Sequence, residues 1–331
     1  MAIEYSYDIK NLKEDVAQPL NKISQDETPI LDKLSKPTCS NPLNTQWIED
    51  VSPDADSDNA HMEGADVTDV DNGTQPSFKS NVCQIHKFTY GISGTAESLS
   101  EIHGRKKEEF YQMVHIGTKA RKTIEKNIFK NQASQAQSGD STPRKLGGLE
   151  SWMETNVSRF AGDPNNSNAG AGVNGGYQNG YTTVATNGGS QRAITEDILN
   201  SVIKLMKDNG APTNNLKLVV GTYNKQLISK TFNGYNQRNL EMTRDGQINS
   251  AVSIYNHDFG AAQIMTCHQM DPRNAWLINF EHFKLRPLKG RYEQISDLAK
   301  TGDSKKRMVV YEYTTEVHEK GLGQIADLTT S

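Results

Sequence analysis

The stretch of sequence that decides the fold runs from Ala96 to Gln132 and reads AESLSEIHGRKKEEFYQMVHIGTKARKTIEKNIFKNQ. No proline interrupts it. Apolar or small side chains recur along it with the i, i+3, i+4, i+7 spacing of one buried helical face: Phe110, Met113, Val114, Gly117, Ala120, Ile124 and Ile128. At about 1.5 Å per residue the predicted helix is about 50 Å long. Other elements, or other subunits, must therefore flank this spine helix along its length.

The composition of the whole chain favours a protein with extended or intersubunit segments. Only 34% of the 331 residues are hydrophobic, and the mean hydropathy is −0.70. The net charge of −4 argues against a protein whose main task is to grip nucleic acid, which normally needs a basic face. We find no apolar signal core at the N-terminus and no run of about 18 apolar residues.

The region before the spine helix divides into an arm and an acidic excursion. Residues 1–36 are polar and punctuated by prolines, so we expect an arm that needs a partner surface, with a helical turn after Pro29. Residues 37–78 contain no lysine or arginine and nine carboxylates. A strand-like run at 44–51 and a second at 80–92 predict a two-stranded excursion with an acidic tip. The carboxylates lack the glycine and glutamate spacing of a calcium loop, so a solvated tip is preferred.

The region after the spine helix predicts an α+β domain. The Gly/Asn-rich residues 161–190 lack the lysine and preceding strand of a phosphate-binding loop, and we expect a long surface loop. Residues 193–209 predict an amphipathic helix capped by Thr195, with Ile198, Val202, Leu205 and Met206 as its apolar face. Strands are expected at 216–220, 252–255, 263–267, 275–285 and 307–317, with a helix at 223–231.

The cysteines and histidines give little support for an enzyme or a metal site. Cys39, Cys83 and Cys267 are far apart in sequence and form no CxxC pair, so we expect free thiols in a reducing compartment. The eight histidines are scattered, without HExxH or GxSxG. The compact trio Asn256-His257-Asp258 is better explained by a turn between strands. We therefore predict no catalytic residue, no metal ligand and no cofactor.

Four signatures, taken in order, resemble one family. They are the strand end GISGT (91–95) before the spine helix; RKLGGLESWM (144–153) followed by Thr155-Asn156; Thr195-Glu196 to Leu199 with Val219-Val220-Gly221 and Asn224-Lys225; and LAKTGD (298–303) followed by Glu312-Tyr313-Thr314 and Glu316-Val317. Together they resemble the major capsid proteins of tailed double-stranded DNA bacteriophages, which have the Hong Kong 97-like fold. The resemblance covers nearly the whole chain except the Gly/Asn-rich loop.

The resemblance implies a division of the chain. Residues 1–36 are the N-terminal arm, and 37–88 are the extended β-hairpin loop that lies over a neighbouring subunit. Residues 89–140 form the peripheral domain with the spine helix, residues 141–275 the axial domain, and residues 276–331 the return strands of the peripheral domain with the C-terminal tail. We list five residues as candidate intersubunit contacts, with Trp47 equally compatible with local packing: Tyr5, Tyr7, Trp47, Ile48 and Met62.

The resemblance also implies the partners. The chain assembles with copies of itself as pentamers and hexamers into an icosahedral head, in the host cytoplasm during assembly and in the virion capsid afterwards, with no membrane. The expected partners are a separately encoded scaffolding protein, because the chain begins almost at the arm, a portal protein, a possible decoration protein and weakly contacted packaged DNA. Some relatives join subunits through a Lys–Asn isopeptide bond from the extended loop. Since residues 37–78 contain no lysine, we predict no cross-link of that type.

Three other functions remain as alternatives. An enzyme would need a pocket with strongly shifted titratable groups. A fibre or adhesin is suggested by the Gly/Asn-rich loop, but a fibre should show internal repeats, and we find none. A cellular nanocompartment shell shares the Hong Kong 97-like fold and would require a cargo protein that docks to it.

Overall fold

The computed structural model describes residues 28–50, 55–64, 66, 75–98, 108–160, 172–231, 253–300 and 302–330. Its helices are α1 (Pro29–Lys33), α2 (Gly94–Ser98), α3 (Glu108–Ile128), α4 (Leu149–Trp152), α5 (Glu196–Asp208) and α6 (Thr222–Thr231), with a 3-10 turn at Glu319–Gly321. Its strands are β1 (Thr45–Glu49), β2 (Ser77–Asn81), β3 (Gln84–Ser93), β4 (Val157–Ser158), β5 (Gly176–Gln178), β6 (Tyr181–Thr183), β7 (Leu216–Val220), β8 (Ile254–His257), β9 (Gly260–Thr266), β10 (Ala275–Ile278), β11 (Phe283–Asp297), β12 (Ser304–Val317) and β13 (Leu322–Ile325). The α+β class predicted from the sequence is confirmed.

The chain divides into two compact units. Within the described residues, one unit is drawn from the ranges 88–120 and 295–309, and the other from the ranges 28–87, 121–294 and 310–330. The second unit holds a six-stranded mixed sheet of order β4-β13-β10-β7-β9-β8. In that sheet β7 runs parallel to β9, whereas β10 is antiparallel to both β7 and β13.

Helix α5 covers one face of this sheet, as its amphipathic sequence predicts. The Thr195 side chain accepts a hydrogen bond from the Ile198 N–H and so caps the helix. The buried face differs from the predicted one, because Leu205 is exposed while Leu199 and Ile203 are buried. The core therefore joins two sets of side chains: Leu199, Val202, Ile203 and Met206 of α5, and Leu216, Leu218 and Val220 of β7.

The spine helix is shorter than predicted within the described residues. Helix α3 ends at Ile128 instead of Gln132, and residues 99–107 of the predicted helix lie outside the described residues. Its apolar stripe is buried at Ala120, Ile124 and Ile128, but Phe110, near its start, is 67% exposed. Met113 and Val114 are also exposed. The spacing of apolar residues therefore identified the buried face in the second half of the helix and was wrong for its start.

The second half of strand β12 is buried on both sides, although its sequence places Glu312 and Glu316 on the face opposite Val309. Its residues from Val309 to Val317 are all buried, including Glu312 and Glu316. These carboxylates tolerate burial because cations reach them: Arg144 Nη2 lies 2.7 Å from Glu312 Oε2, and Lys284 Nζ lies 3.0 Å from Glu316 Oε1. The alternation of acidic and apolar residues therefore predicted the strand correctly, but the acidic residues do not face solvent.

Two other predictions need correction. The run 275–285 is not one strand, because the His282 N–H donates to the Asn279 carbonyl and a turn separates β10 from β11. The Gly/Asn-rich run 161–190 is not a featureless loop. Residues 161–171 lie outside the described residues, but β5 and β6 pair antiparallel. Asn179 and Gly180 at their turn have φ values of 53° and 86°, as in tight hairpin turns.

The first unit brings two of the sequence signatures together. The Gly94 N–H donates to the Asp303 carbonyl at 3.2 Å. A Cβ atom on Gly94 would lie 2.5 Å from an Asp303 carboxylate oxygen, so a larger residue there would force the Asp303 side chain to move. Close by in the chain, Lys305 Nζ pairs with Glu97 at 2.8 Å, and Arg307 pairs with Asp297 at 2.7 Å and with Glu109. The GISGT and LAKTGD stretches thus form one local structure.

Candidate functional site: the extended hairpin and its root

Strands β1 and β2 form a two-stranded excursion, but the second strand is not the predicted run 80–92, most of which is strand β3 of a different sheet. Strands β1 and β2 pair antiparallel, from Thr45 opposite Asn81 to Glu49 opposite Ser77. Because successive side chains of a strand point to opposite faces, Trp47 faces inward while Ile48 faces outward. One face of this hairpin therefore packs on its own chain, and the other face is free of it. The acidic tip at 55–64 is exposed, and residues 51–54, 65 and 67–74 lie outside the described residues.

The inward face rests on an aromatic stack. The ring centroids of Trp47 and Trp152 are 5.3 Å apart, and Trp152 in turn stacks on Tyr177 at 5.1 Å. Trp47 is only 6% exposed. Of the two readings of Trp47, its burial within the subunit supports local packing, and a role between subunits stays a prediction. Trp152 and Trp276 are buried core residues.

Asn81 fixes the root of the hairpin through its side-chain amide. Its Oδ1 accepts from the Gly147 N–H at 2.8 Å, and its Nδ2 donates to the Thr315 carbonyl at 3.1 Å. Gly147 lies in the RKLGGLESW signature, and a Cβ atom there would lie 2.7 Å from Thr182 Oγ1. The buried Asn81 therefore joins the hairpin to that signature and to β12, and buried hydrogen bonds of this kind stabilise one defined geometry.

Charged groups complete the root. Lys79 Nζ lies 2.7 Å from Glu49, and His318 lies between two carboxylates, with Nε2 3.0 Å from Glu316 and Nδ1 3.7 Å from Glu49. Hydrogen bonds to Glu316 and Glu49 raise the pKa of His318 to about 9. Burial alone raises the pKa of Glu316, but the hydrogen bonds from His318 and Lys284 and the charge of Arg286 lower it to about 2. The root is therefore held by a protonated histidine at neutral pH.

The outward face carries exposed apolar side chains. Ile48 and Phe78 lie directly opposite each other across the strand pair and are 57% and 62% exposed. Met62 in the tip is 86% exposed. Tyr5 and Tyr7, the other two predicted contacts, lie outside the described residues. The sequence analysis missed Phe78, because its exposure depends on the strand register, which the sequence alone did not define.

The RKLGGLESW signature anchors a second buried ion pair. Glu150 Oε1 lies 3.1 Å from Arg159 Nη2, and both side chains are buried. Asn274 Nδ2 and Gln324 Nε2 also donate to the Glu150 carboxylate, at 3.1 and 3.2 Å. Burial raises the pKa of Glu150, an effect that the charge of Arg159 opposes. These groups satisfy one another, so they hold the fold together instead of presenting a reactive group.

The described residues offer no arrangement typical of a metal site. Within them, no group of three or more His, Cys, Asp or Glu side chains is placed to hold a metal ion. Asn256-His257-Asp258 lies at the β8–β9 turn, where His257 pairs with Gly260, so the turn interpretation is confirmed.

His86 stacks on Tyr313, with ring centroids 5.2 Å apart, and burial lowers the pKa of His86 to about 4. In the described part of the chain, no helix is long and apolar enough to span a membrane.

Comparison with known proteins then decides the family. The family model of the SU10 major capsid protein matches residues 3–329. The chain belongs to the SU10 major capsid protein family. It is a phage major capsid protein and a component of the virion capsid. A search of curated protein sequences found no match.

Solved structures show that this capsid protein has the Hong Kong 97-like fold. The capsid asymmetric unit of cyanophage A-1(L) matches with a TM-score of 0.65 at 11% identity, over 96% of this chain and 98% of that one. The procapsid of satellite phage P4 that includes a size determination protein matches with a TM-score of 0.53 at 9% identity, over 92% and 88%. The SrpI encapsulin complex from Synechococcus elongatus matches with a TM-score of 0.52 at 8% identity, over 95% and 92%.

Proposed function

We propose that this capsid protein assembles as pentamers and hexamers into an icosahedral head around packaged double-stranded DNA, with its extended hairpin lying over a neighbouring copy. The observation that carries the proposal is the contrast between the two faces of the β1–β2 hairpin. Its inward face packs on its own chain through Trp47 and Trp152, whereas Ile48, Phe78 and Met62 remain exposed. Exposed apolar groups grouped on one element are typical of interaction surfaces.

We propose one structural role for each successive segment of the chain. Residues 1–36 act as the arm, 37–88 as the extended loop, 89–140 with 276–331 as the peripheral domain and 141–275 as the axial domain. Each contact between copies is small, and a closed shell gains strength because many such contacts act together. Tyr5, Tyr7, Ile48 and Met62 remain proposed contact residues, and Phe78 joins them because it lies opposite Ile48.

The hairpin contact can be tested with a matched pair of variants. Ile48→Ser with Phe78→Ser removes the exposed apolar pair, whereas Gln46→Ser changes an exposed polar residue of the same strand. We expect the double variant to fold with an unchanged thermal midpoint and to form far fewer shells by electron microscopy and light scattering. We expect Gln46→Ser to assemble normally. Normal assembly of the double variant would refute the proposed contact.

The proposal extends to other partners and to the absence of catalysis. We propose a separate scaffolding protein, a portal protein and a decoration protein as partners, no cofactor and no enzymatic activity. The P4 procapsid with its size determination protein supports the idea that a shell of this fold can engage a second protein. The net charge of −4 supports weak contact with DNA. Co-expression with the neighbouring phage proteins, followed by electron microscopy of the particles, tests these partners.

A nanocompartment shell is the second candidate, because an encapsulin shares the fold. The two candidates differ in what the particle holds. A phage head contains nuclease-protected double-stranded DNA after packaging, whereas a nanocompartment contains a docked protein. Nuclease treatment and mass spectrometry of particles purified from infected cells distinguish the two contents, and a protein cargo without DNA would favour the second candidate.

A further inference from the structure

Two cysteines lie together at the base of the extended hairpin. Cys39 precedes β1 and Cys83 follows β2, so the pair brackets the whole excursion. Their sulfur atoms are 3.6 Å apart, and both residues are buried. The sequence separation of 44 residues hides this closeness, which becomes visible only when the hairpin pairs. All three cysteines are free thiols, as predicted from the sequence.

The backbone holds both cysteines in place. The Cys39 N–H donates to the Pro287 carbonyl at 2.9 Å, and its carbonyl accepts from the Lys289 N–H at 3.0 Å. The Cys83 N–H donates to the Pro42 carbonyl at 2.9 Å. Leu288 packs against both thiols and completes a small buried cluster. The approach of the two sulfur atoms is therefore a property of the fold and not of one freely rotating side chain.

The two thiols are chemically unequal. The hydrogen bond with Cys83 lowers the pKa of Cys39 to about 7, and the positive charge of Arg286 acts in the same direction. The same contact, together with burial, raises the pKa of Cys83 well above its ordinary value. Cys39 lies in the field of Arg286 and is the less buried of the two residues, so we assign Cys39 as the attacking cysteine and Cys83 as the resolving cysteine. This pairing of an attacking and a resolving cysteine is typical of sites that form disulfides.

We propose that Cys39 and Cys83 form an oxidation site, at which a small peroxide converts the two thiols into a disulfide that closes the base of the extended hairpin. Cys39 retains 4% exposure, whereas Cys83 is fully buried, so an oxidant meets Cys39 first. Disulfides persist outside the reducing interior of a cell, so the bond belongs to the released particle. The proposal does not depend on which surface the hairpin covers.

The chemical steps balance with hydrogen peroxide as the oxidant. The Cys39 thiolate attacks one peroxide oxygen, so that an S–O bond forms, the O–O bond breaks and hydroxide leaves. The Cys83 thiol gives its proton to that hydroxide and attacks the Cys39 sulfur, so that the S–S bond forms and the S–O bond breaks. The second hydroxide takes up a proton. In total, two thiols and one hydrogen peroxide give one disulfide and two water molecules, and the sulfur atoms lose two electrons.

The disulfide would join the two ends of the hairpin covalently. It closes a ring that contains β1, the acidic tip and β2, and closing a long loop restricts the unfolded chain. Cys267 is excluded from the pair, since it is buried against a different residue, with its sulfur 3.1 Å from Glu125 Oε1. It therefore provides an internal control in the same molecule.

Peptide mapping tests the proposal on the full-length protein. The folded chain is treated with hydrogen peroxide and quenched, its remaining thiols are alkylated in denaturant, and it is digested without reductant. We expect a reductant-sensitive peptide that joins Cys39 to Cys83, with Cys267 recovered alkylated. We expect Cys267→Ser to give the same cross-link and Cys83→Ser to stop at a sulfenic acid on Cys39, detected with dimedone.

Two results would overturn the proposal. One is recovery of Cys39 and Cys83 both fully alkylated, or singly oxidised without a joining bond, under conditions that oxidise the thiols of the denatured chain. The other is an oxidised protein whose thermal midpoint does not exceed that of the reduced protein, because the bond would then not staple the hairpin. If a serine variant fails to fold, the wild-type and Cys267→Ser maps still decide the question.

Discussion

The indole of Trp47 lies against the indole of Trp152, with ring centroids 5.3 Å apart and planes inclined by 47°. The first residue belongs to the extended hairpin and the second to the RKLGGLESW signature. The contact explains why a hairpin with an exposed outer face is still held in one position. It also separates residues that stabilise the subunit from residues that are available to join subunits.

Trp47→Ala should destabilise the subunit itself. Removal of a buried tryptophan side chain leaves a cavity and costs about 3–5 kcal/mol. We expect the urea unfolding midpoint of the variant to fall well below that of the wild-type subunit. Ile48→Ala, one residue away on the exposed face, is the control and should leave the midpoint within experimental error. Equal midpoints for Trp47→Ala and wild type would contradict the packing described here.

Alanine substitutions at Gly117 and Gly148 should change the thermal midpoint in opposite directions. A Cβ atom on Gly117, within α3, meets no atom within 4 Å, whereas one on Gly148 overlaps the Lys130 carbonyl oxygen. Alanine within a helix is favoured over glycine by about 0.5–1 kcal/mol, so Gly117→Ala should raise the thermal midpoint slightly. Gly148→Ala should lower it by several degrees or prevent folding. A lower midpoint for Gly117→Ala would show that something covers this face in the subunit.

His318 should make subunit stability depend on pH. Its folded pKa of about 9 lies above the ordinary histidine value of 6.5, so the protonated form is favoured in the fold. This contribution, at most about 3 kcal/mol, is fully present below pH 6.5 and is lost as the pH rises through about 9. Urea unfolding at a series of pH values should show this decline. His318→Gln should flatten it, whereas His61→Gln in the exposed tip should not.

Arg159→Met should lower the free energy of unfolding, because it leaves the buried Glu150 carboxylate without its cation. Breaking a buried ion pair by removing one partner typically costs about 3–5 kcal/mol. We expect a large loss of stability at neutral pH and a partial recovery on acidification, because a protonated Glu150 needs no cation. The double variant Glu150→Gln/Arg159→Met should regain part of the loss. If Arg159→Met equals wild type in urea unfolding, the pair does not contribute to stability.

Mature particles should show no covalent joining of subunits through the extended loop. Within the extended loop 37–88, residues 37–78 contain no lysine to form an isopeptide bond, and the two lysines, Lys79 and Lys87, lie in β2 and β3 at its root. After boiling in detergent with reductant, the capsid protein should migrate as a single band near 36.7 kDa. A ladder of multiples that survives reductant would show a cross-link of another kind.

Patterns that are local in sequence predicted the elements well. The cap at Thr195, the buried run of β7 and the turn after Pro29 all appear as expected. Two paired strands also appear at the excursion, but the second is β2 (Ser77–Asn81) and not the predicted run 80–92. The four family signatures extended this to the whole fold, although no single signature was sufficient by itself.

Features that depend on distant residues could not be predicted. Burial of Glu312 rests on Arg144 and Arg291, which are 168 and 21 residues away in sequence. The outward apolar pair needs Phe78 to face Ile48, and the thiol pair needs Cys39 to reach Cys83. Each of these contacts depends on the register of paired strands or on which distant segments pack together. Neither can be read from a single sequence.

The side chain of Asn81 also has a mechanical consequence. If the hairpin lies over a neighbour, as proposed, pressure from a packaged genome would stretch the shell within its own surface and pull the hairpin along its strands. Asn81 lies where β2 leaves the hairpin and is hydrogen-bonded both to Gly147 and to Thr315. Such a pull would be divided between two separate segments of the subunit at the point where it enters.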